Sequence, residues 1–269
     1  RPHHLLEAGL KHPLCAAVVA LTEVNETNLK VAIAAKLMHP EVKVVCRADS
    51  HEVEANMASF GTDYIYDPFD IFGAYLGMAI ATPCLTLMRD WLSGLQGEPL
   101  RDPPMPPAEG LWILCGYGRF GKAITANLGA RGMDLVVVEA APELTGRPEG
   151  IPLVPGWGTE AHTLEQAGVR RAVGLVVGTH NDANNLSIVM TARTLNPDLF
   201  IVVRENHKDN EELFRAVGAD ILMHPSTIIA DRIRILLVTP LLTEFEQLAR
   251  LQDHAWSCQL VSRILALVD

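Results

Sequence analysis

The stretch Leu111-Trp112-Ile113-Leu114-Cys115-Gly116-Tyr117-Gly118-Arg119-Phe120-Gly121-Lys122 decides how the rest of the chain is read. Its first five residues are an unbroken apolar run, as expected of a strand buried on both faces of a parallel sheet. A Gly-x-Gly-x-x-Gly turn follows and opens a helix expected over 122–131. A second apolar strand, 135–139, ends on Glu139. This order of strand, glycine turn, helix, strand and acid is the dinucleotide-binding arrangement. Gly116 permits the tight turn, Gly118 lets a phosphate approach the backbone, and Gly121 lets helix and strand pack closely. The helix start then offers unpaired N–H groups and a partial positive charge to phosphate. Glu139 is placed to accept hydrogen bonds from a ribose 2′-hydroxyl, and a 2′-phosphate there would meet like charge. NAD(H) or an adenosine nucleotide is therefore expected over NADP(H).

Beyond the turn, Arg119 has a guanidinium able to meet a phosphate in bidentate fashion, or to stand in solvent as a surface cation. Thr179, Asp182 and Asn185 fall just past the next apolar run, at the carboxyl end of a strand, where open α/β sheets bind ligands. Thr179 and Asp182 serve equally well as caps of a helix running to Leu195. Arg204 ends the following strand and is either a ligand contact or an ion-pair partner.

The region around this site is repeated. At one fixed offset, Thr22 meets Thr179, Asn28 meets Asn185, Pro40 meets Pro197 and Arg47 meets Arg204. Gly61 then meets Gly218, Asp63 meets Asp220, Pro68 meets Pro225, and Thr82-Pro83 meets Thr239-Pro240. Such a run, falling on turn and polar residues as well as apolar ones, marks an internal duplication. Each copy reads as strand, helix, strand, helix, short strand and a further long helix, with Leu29, Ile33 and Leu37 one turn apart on the first helix. The fold class is therefore α/β: a Rossmann-like, doubly wound parallel sheet in tandem repeat. Only the second copy has its front half, so the chain is expected to be a piece of a longer protein. Residues 1–92 are read as the back half of a first domain with its crossover helix. Residues 93–110, rich in proline, form a linker. Residues 111–226 form the complete second domain, and 227–269 a crossover helix and the start of a C-terminal lobe.

Composition narrows the function. A net charge of −10 argues against a nucleic-acid partner, since phosphate backbones select clustered Lys and Arg. The five cysteines, odd in number and without Cys-x-x-Cys spacing, suit reduced structural thiols and not a disulfide framework. Residues 71–88 carry no charge, yet Gly73, Gly77, Thr82 and Pro83 favour a buried or interface helix over a membrane span. Gly73 and Gly77 would let that helix lie close to the matching helix of the second copy or to another chain. No metal site is expected: His3-His4 lacks partners at ligand spacing, and Asp209, Glu211 and Glu212 read as a solvated helix face. No nucleophile–base set can be read, so no catalytic residues are assigned.

The segment 111–225, with its Gly-Tyr-Gly-Arg-Phe-Gly, Glu139, Leu164-Glu-Gln-Ala-Gly, Thr179, Asn185, Asn196-Pro197, Arg204 and Gly218-Ala-Asp, resembles the RCK (KTN, Trk-type N-terminal) domain. Residues 5–68 resemble the back half of the same domain. The resemblance implies a cytoplasmic, non-catalytic, nucleotide-sensing module that regulates a potassium channel or transporter and assembles as a homo-oligomer. The pore would lie upstream on the same chain or on a separate subunit. It implies NAD(H), ATP, ADP, AMP or a similar nucleotide as ligand. Where the family has Gly-Asp after the third strand, this chain has Gly156-Trp157; Trp157 either stacks on adenine or fills the pocket. The competing expectations are an NAD-dependent oxidoreductase and a scaffold that binds nothing.

Overall fold

The computed structural model describes residues 2–94, 97, 99–100, 102–249 and 251–268. The chain divides into two compact units, Arg1–Ile71 and Phe72–Asp269. The boundary falls inside the segment assigned from sequence to the first copy.

The first unit begins with α1 (Pro2–Glu7), β1 (Ala17–Ala20), α2 (Asn25–Met38), β2 (Lys43–Arg47), α3 (His51–Ser59) and β3 (Tyr64–Tyr66). The strands form a parallel sheet in the order β1-β2-β3. Its core gathers Leu10, Ala20, Ala32, Ala35, Val42, Val44, Cys46 and Met57. The buried face of α2 differs from the expectation. Asn28, Ala32 and Ala35 are buried, whereas Leu37 is 78% exposed. Small residues lie against the sheet because they let the helix axis come close, and the large apolar residues are displaced to the flank.

α4 (Pro68–Ala81) crosses the boundary, and the second unit continues with α5 (Pro83–Ser93) and β4 (Leu111–Cys115). Then come α6 (Arg119–Gly129), β5 (Asp134–Glu139), α7 (Pro142–Thr145), β6 (Leu153–Pro155), α8 (Ala161–Gln166), β7 (Ala172–Val177) and α9 (Asp182–Leu195). The chain ends with β8 (Phe200–Arg204), α10 (Glu211–Ala216), β9 (Ile221–Met223), α11 (Pro225–Val238), α12 (Pro240–Ala249) and α13 (His254–Val268). Six parallel strands lie in the order β6-β5-β4-β7-β8-β9. That is the doubly wound order, with the direction of winding reversing between β4 and β7. All five residues of β4 are buried, as its uninterrupted apolar run requires.

The repeat is structural down to single hydrogen bonds. Asn185 Oδ1 accepts from the Thr179 N–H and hydroxyl, and its Nδ2 donates to the Thr179 and Arg204 carbonyls. Asn28 does the same with Thr22 and Arg47. Asp63 accepts from the Val44 N–H and pairs with Lys36, and Asp220 accepts from the Ile201 N–H and pairs with Arg193. These contacts explain why polar positions are kept between the copies: each ties the end of one strand to its neighbour. Both asparagines are fully buried. Asn28→Ala is expected to leave the Thr22 and Arg47 groups unpaired and to cost about 1–3 kcal/mol in denaturant unfolding.

Further expectations are corrected. Each long crossover helix is two helices, broken at Thr82-Pro83 and at Thr239-Pro240. Proline lacks the N–H that the helix interior needs and opens the next helix instead. Among the described residues no helix is long and apolar enough to cross a membrane. The expectation of reduced thiols fails for one pair, since Cys84 and Cys258 form a disulfide joining α5 to α13. Their separation of 174 residues leaves no local spacing to read. Cys15, Cys46 and Cys115 are free, and burial pushes the Cys46 thiol up to about 11.

The expected close approach at Gly73 and Gly77 has a different partner. A Cβ at Gly73 would meet Asn127 Nδ2 at 2.8 Å and the Ala123 carbonyl at 3.0 Å, and one at Gly77 would meet the Arg131 guanidinium at 2.6 Å. This half of the crossover therefore packs on α6 and the residues just after it. The two crossovers meet in their second halves, α5 against α12. Met78, Leu85, Met88, Ala249 and Val261 form the apolar centre of this helical layer, with α13 covering it.

Candidate nucleotide site

The chain leaves β4 at Gly116, whose φ of 98° is open to glycine and strained for other residues. The Gly116 N–H donates to the Val138 carbonyl at 2.9 Å, and the Gly178 N–H to the Cys115 carbonyl at 2.9 Å. The loop thus sits between the carboxyl ends of β5, β4 and β7, at the switch point of the sheet. α6 starts at Arg119, and its N-cap, Gly118, offers no side-chain cap. The first-turn N–H groups are left to face outward. A Cβ on Gly118 would meet nothing within 4 Å, so the space in front of this helix end is open. A Cβ on Gly121 would overlap the Gly116 carbonyl oxygen, because helix and turn cross there at backbone distance.

Glu139 is 9% exposed and turned toward the loop. Its carboxylate accepts from the Tyr117 N–H at 2.5 Å and from the Ala141 N–H at 2.9 Å. The acid thereby holds the glycine turn against the end of β5, with lone pairs remaining for a hydroxyl. Its negative charge, after burial, helps push the Cys115 thiol up to about 12.

The other predicted residues divide into those that face the open space and those that support it. Arg119 is exposed on the first turn of α6, and Tyr117 is half-buried with Lys122 Nζ 5.7 Å from its ring centre. Trp157 is 56% exposed, one residue past Gly156, whose N–H donates to the Glu139 carbonyl. Phe120 is in the core: its ring packs on Phe72 with centres 6.0 Å apart, so only its backbone belongs to the loop. Asn185 has all four hydrogen-bonding positions filled by protein and acts on the site by fixing Thr179. Arg204 is half-buried at the end of β8, two strands from β4.

Asp182, weighed as a helix cap, has another task. Asn181 caps α9, its side chain accepting from the Asn184 N–H. Asp182 is 7% exposed and accepts from the Asn206 and His207 N–H groups and from the Asn206 and Asn210 side chains. Burial pushes its carboxyl up, and these four donors outweigh burial and hold it below the usual range. Beside it, Glu205 is 2% exposed, and burial followed by Glu211 and Asp182 raises its carboxyl. Sequence reasoning did not single out Glu205; its only signal was a position after a strand end.

The family model described as TrkA-N domain matches residues 1–68 and 112–225. Among curated proteins, the chain is 26% identical over 138 residues to "Potassium channel protein 1" of Methanocaldococcus jannaschii, covering 50% of this chain and 41% of that protein. It is 28% identical over 137 residues to "Trk system potassium uptake protein TrkA homolog" of Pyrococcus abyssi, covering 48% of this chain and 60% of that one. The chain thus spans less than two thirds of the length of either relative. Among solved structures, the GsuK channel bound to NAD superposes with a TM-score of 0.65 at 18% identity, over 88% of this chain and 54% of that one. GsuK bound to ADP gives 0.64 at 21% identity, over 88% of this chain and 55% of that one. At these identities the likeness shows the fold.

Proposed function

The chain belongs to the TrkA-N domain family, and on that premise we propose that it is a nucleotide-sensing regulatory module that gates a potassium channel or potassium transporter from the cytoplasmic face of the membrane. The observation that carries this reading is the uncapped helix end behind Gly118, open to solvent at the switch point of the sheet. The ligand is NAD(H) or an adenosine nucleotide (ATP, ADP or AMP), with its phosphates at Gly116, Gly118 and Gly121 and its ribose at Glu139. Tyr117, Arg119, Trp157 and Thr179 border it. The names of the relatives and the ADP and NAD in the two GsuK structures support both the ligand class and a channel or transporter partner. Leu237, Val238, Leu241 and Leu248 are all exposed on the second crossover, which supports assembly with further copies.

Calorimetry on the isolated protein tests this. NADH should bind at least about tenfold more tightly than NADPH, since a 2′-phosphate beside Glu139 places like charges together. Glu139→Gln should narrow that gap while leaving adenosine monophosphate binding in place. Equal affinities for NADH and NADPH in the wild-type protein would remove Glu139 from the site. Bound NADH should also survive incubation with keto and aldehyde substrates. A sustained, substrate-dependent fall in its absorbance would favour the oxidoreductase alternative.

A further inference from the structure

Three side chains that the nucleotide site does not use lie together on the helical layer. Cys84 is the second residue of α5, and His254 and Cys258 are one turn apart on α13. Ligand atoms from all three lie within 4.8 Å of one another, and no other such group of three or more His, Cys, Asp or Glu is found among the described residues. His254 Nε2 is 3.4 Å from Cys258 Sγ. The two cysteines are half-buried and His254 is exposed, so the group is reachable from solvent. Cys84 packs against the apolar cluster of this helical layer, which includes Leu85, Met88, Trp256 and Val261.

We infer that Cys84, His254 and Cys258 form a redox-controlled site for a thiophilic divalent cation of the zinc class, closed when the cysteines are joined and open when they are reduced. The chemistry of the donors fits: two thiolates and one imidazole are a familiar zinc set that leaves a fourth position for water. The helix provides the bite, because residues four apart on α13 share a face. The Cα atoms of Cys84 and Cys258 are 5.0 Å apart. Two sulfurs on one tetrahedral zinc stand roughly 3.8 Å apart, given Zn–S bonds of about 2.3 Å, so side-chain rotation alone converts one state to the other. Cys84 also lies in the first turn of its helix, where the backbone favours a thiolate.

The interconversion balances as follows. A dithiol attacks one sulfur of the Cys84–Cys258 bond and forms a mixed disulfide. Its second thiol then closes it to a cyclic disulfide and releases the remaining cysteine. Two electrons and two protons are thereby transferred to Cys84 and Cys258. Cation binding displaces those two thiol protons to water, and the two thiolates cancel the charge of the ion. In either state α13 remains clamped on α5, by a covalent bond or through the metal. In the reduced state without metal, neither of these links holds it, and the apolar packing of the helical layer remains. This site shares no residue with the glycine loop and stands whether or not nucleotide binds there.

The experiment uses the intact chain, reduced with dithiothreitol and desalted without air, then titrated with zinc against a chromophoric chelator. One equivalent is expected for the reduced protein and none after oxidation with diamide. Cobalt in place of zinc should give an intense near-ultraviolet thiolate-to-metal absorption. His254→Ala, at an exposed position that leaves the fold intact, should weaken zinc by at least about tenfold. The Cys84→Ser/Cys258→Ser double variant should lose the absorption. The inference fails if the folded protein's disulfide resists dithiothreitol, or if the reduced protein binds no more zinc than the double variant. It also fails if His254→Ala binds as tightly as the wild-type protein.

Discussion

Gly121→Val is expected to abolish nucleotide binding and to destabilise the second unit, by about 1–3 kcal/mol or more, because its Cβ overlaps the Gly116 carbonyl oxygen. The overlap is with backbone on a turn already held by the Val138 carbonyl and the Glu139 carboxylate, so neither side can yield. Gly118→Val isolates the ligand from the fold. Gly118 has a φ of −70°, and a Cβ there meets nothing within 4 Å. Its stability should therefore fall by no more than about 1 kcal/mol, the cost of a poorer helix N-cap. The valine would nonetheless fill the space in front of the helix end, and NADH or ADP affinity should fall by at least about a hundredfold. Denaturant unfolding and calorimetry on both variants separate the two effects. If Gly118→Val binds nucleotide like wild type, phosphates do not approach this turn. If Gly121→Val is as stable as wild type, helix and turn do not cross here at backbone distance.

The second large effect is expected at Arg89 and Glu246. Arg89 Nε donates to Glu246 Oε1 at 2.8 Å, with side-chain exposures of 13% and 6%, and Arg232 Nη1 stands 3.7 Å from Oε2. The two residues are 157 positions apart, which is the repeat offset, so they occupy the same place in the two copies. Identical copies meeting at this point would set like charges against each other. The divergence to Arg in one copy and Glu in the other converts repulsion into a buried pair. Arg89→Ala should leave Glu246 buried with only the more distant Arg232 and cost about 3–5 kcal/mol. Arg89→Ala/Glu246→Ala should cost less than the sum of the two single changes, by about 1–3 kcal/mol, because the double variant leaves neither charge of the pair buried without the other. A double-mutant cycle in denaturant measures it. Simple additivity of the two single changes would mean that the residues do not interact across α5 and α12.

Much of the molecule was legible because it depends on contacts close in sequence. The buried run of β4, the φ-dependent turn at Gly116 and the helix behind it are local matters, so their order could be read from neighbouring residues. Asn28 and Asn185, or Asp63 and Asp220, stood out as repeated polar positions even though their partners were unknown. Both asparagines join adjacent strand ends, and a duplicated sheet needs that joint twice. The break at Thr82-Pro83 was equally present in the sequence, and a proline inside an uncharged stretch was the signal to read.

By itself, then, the sequence determined the parallel α/β class, the duplication, the glycine turn and the acid at the end of β5, all of which follow from local pattern and chain reversal. Tertiary structure alone decided which faces those elements present. Leu37 is exposed because Ala32 and Ala35 allow α2 to lie closer to its sheet. Phe120 turns into the core, where α4 offers Phe72 for it to stack on. The Cys84–Cys258 pairing is hidden from the sequence for the same reason. His254 and Cys258 show a one-turn spacing, but Cys84 reaches them only when α5 packs under α13. A contact between residues 174 apart leaves no periodicity behind, since the chain between them can take many lengths without changing how the two helices meet.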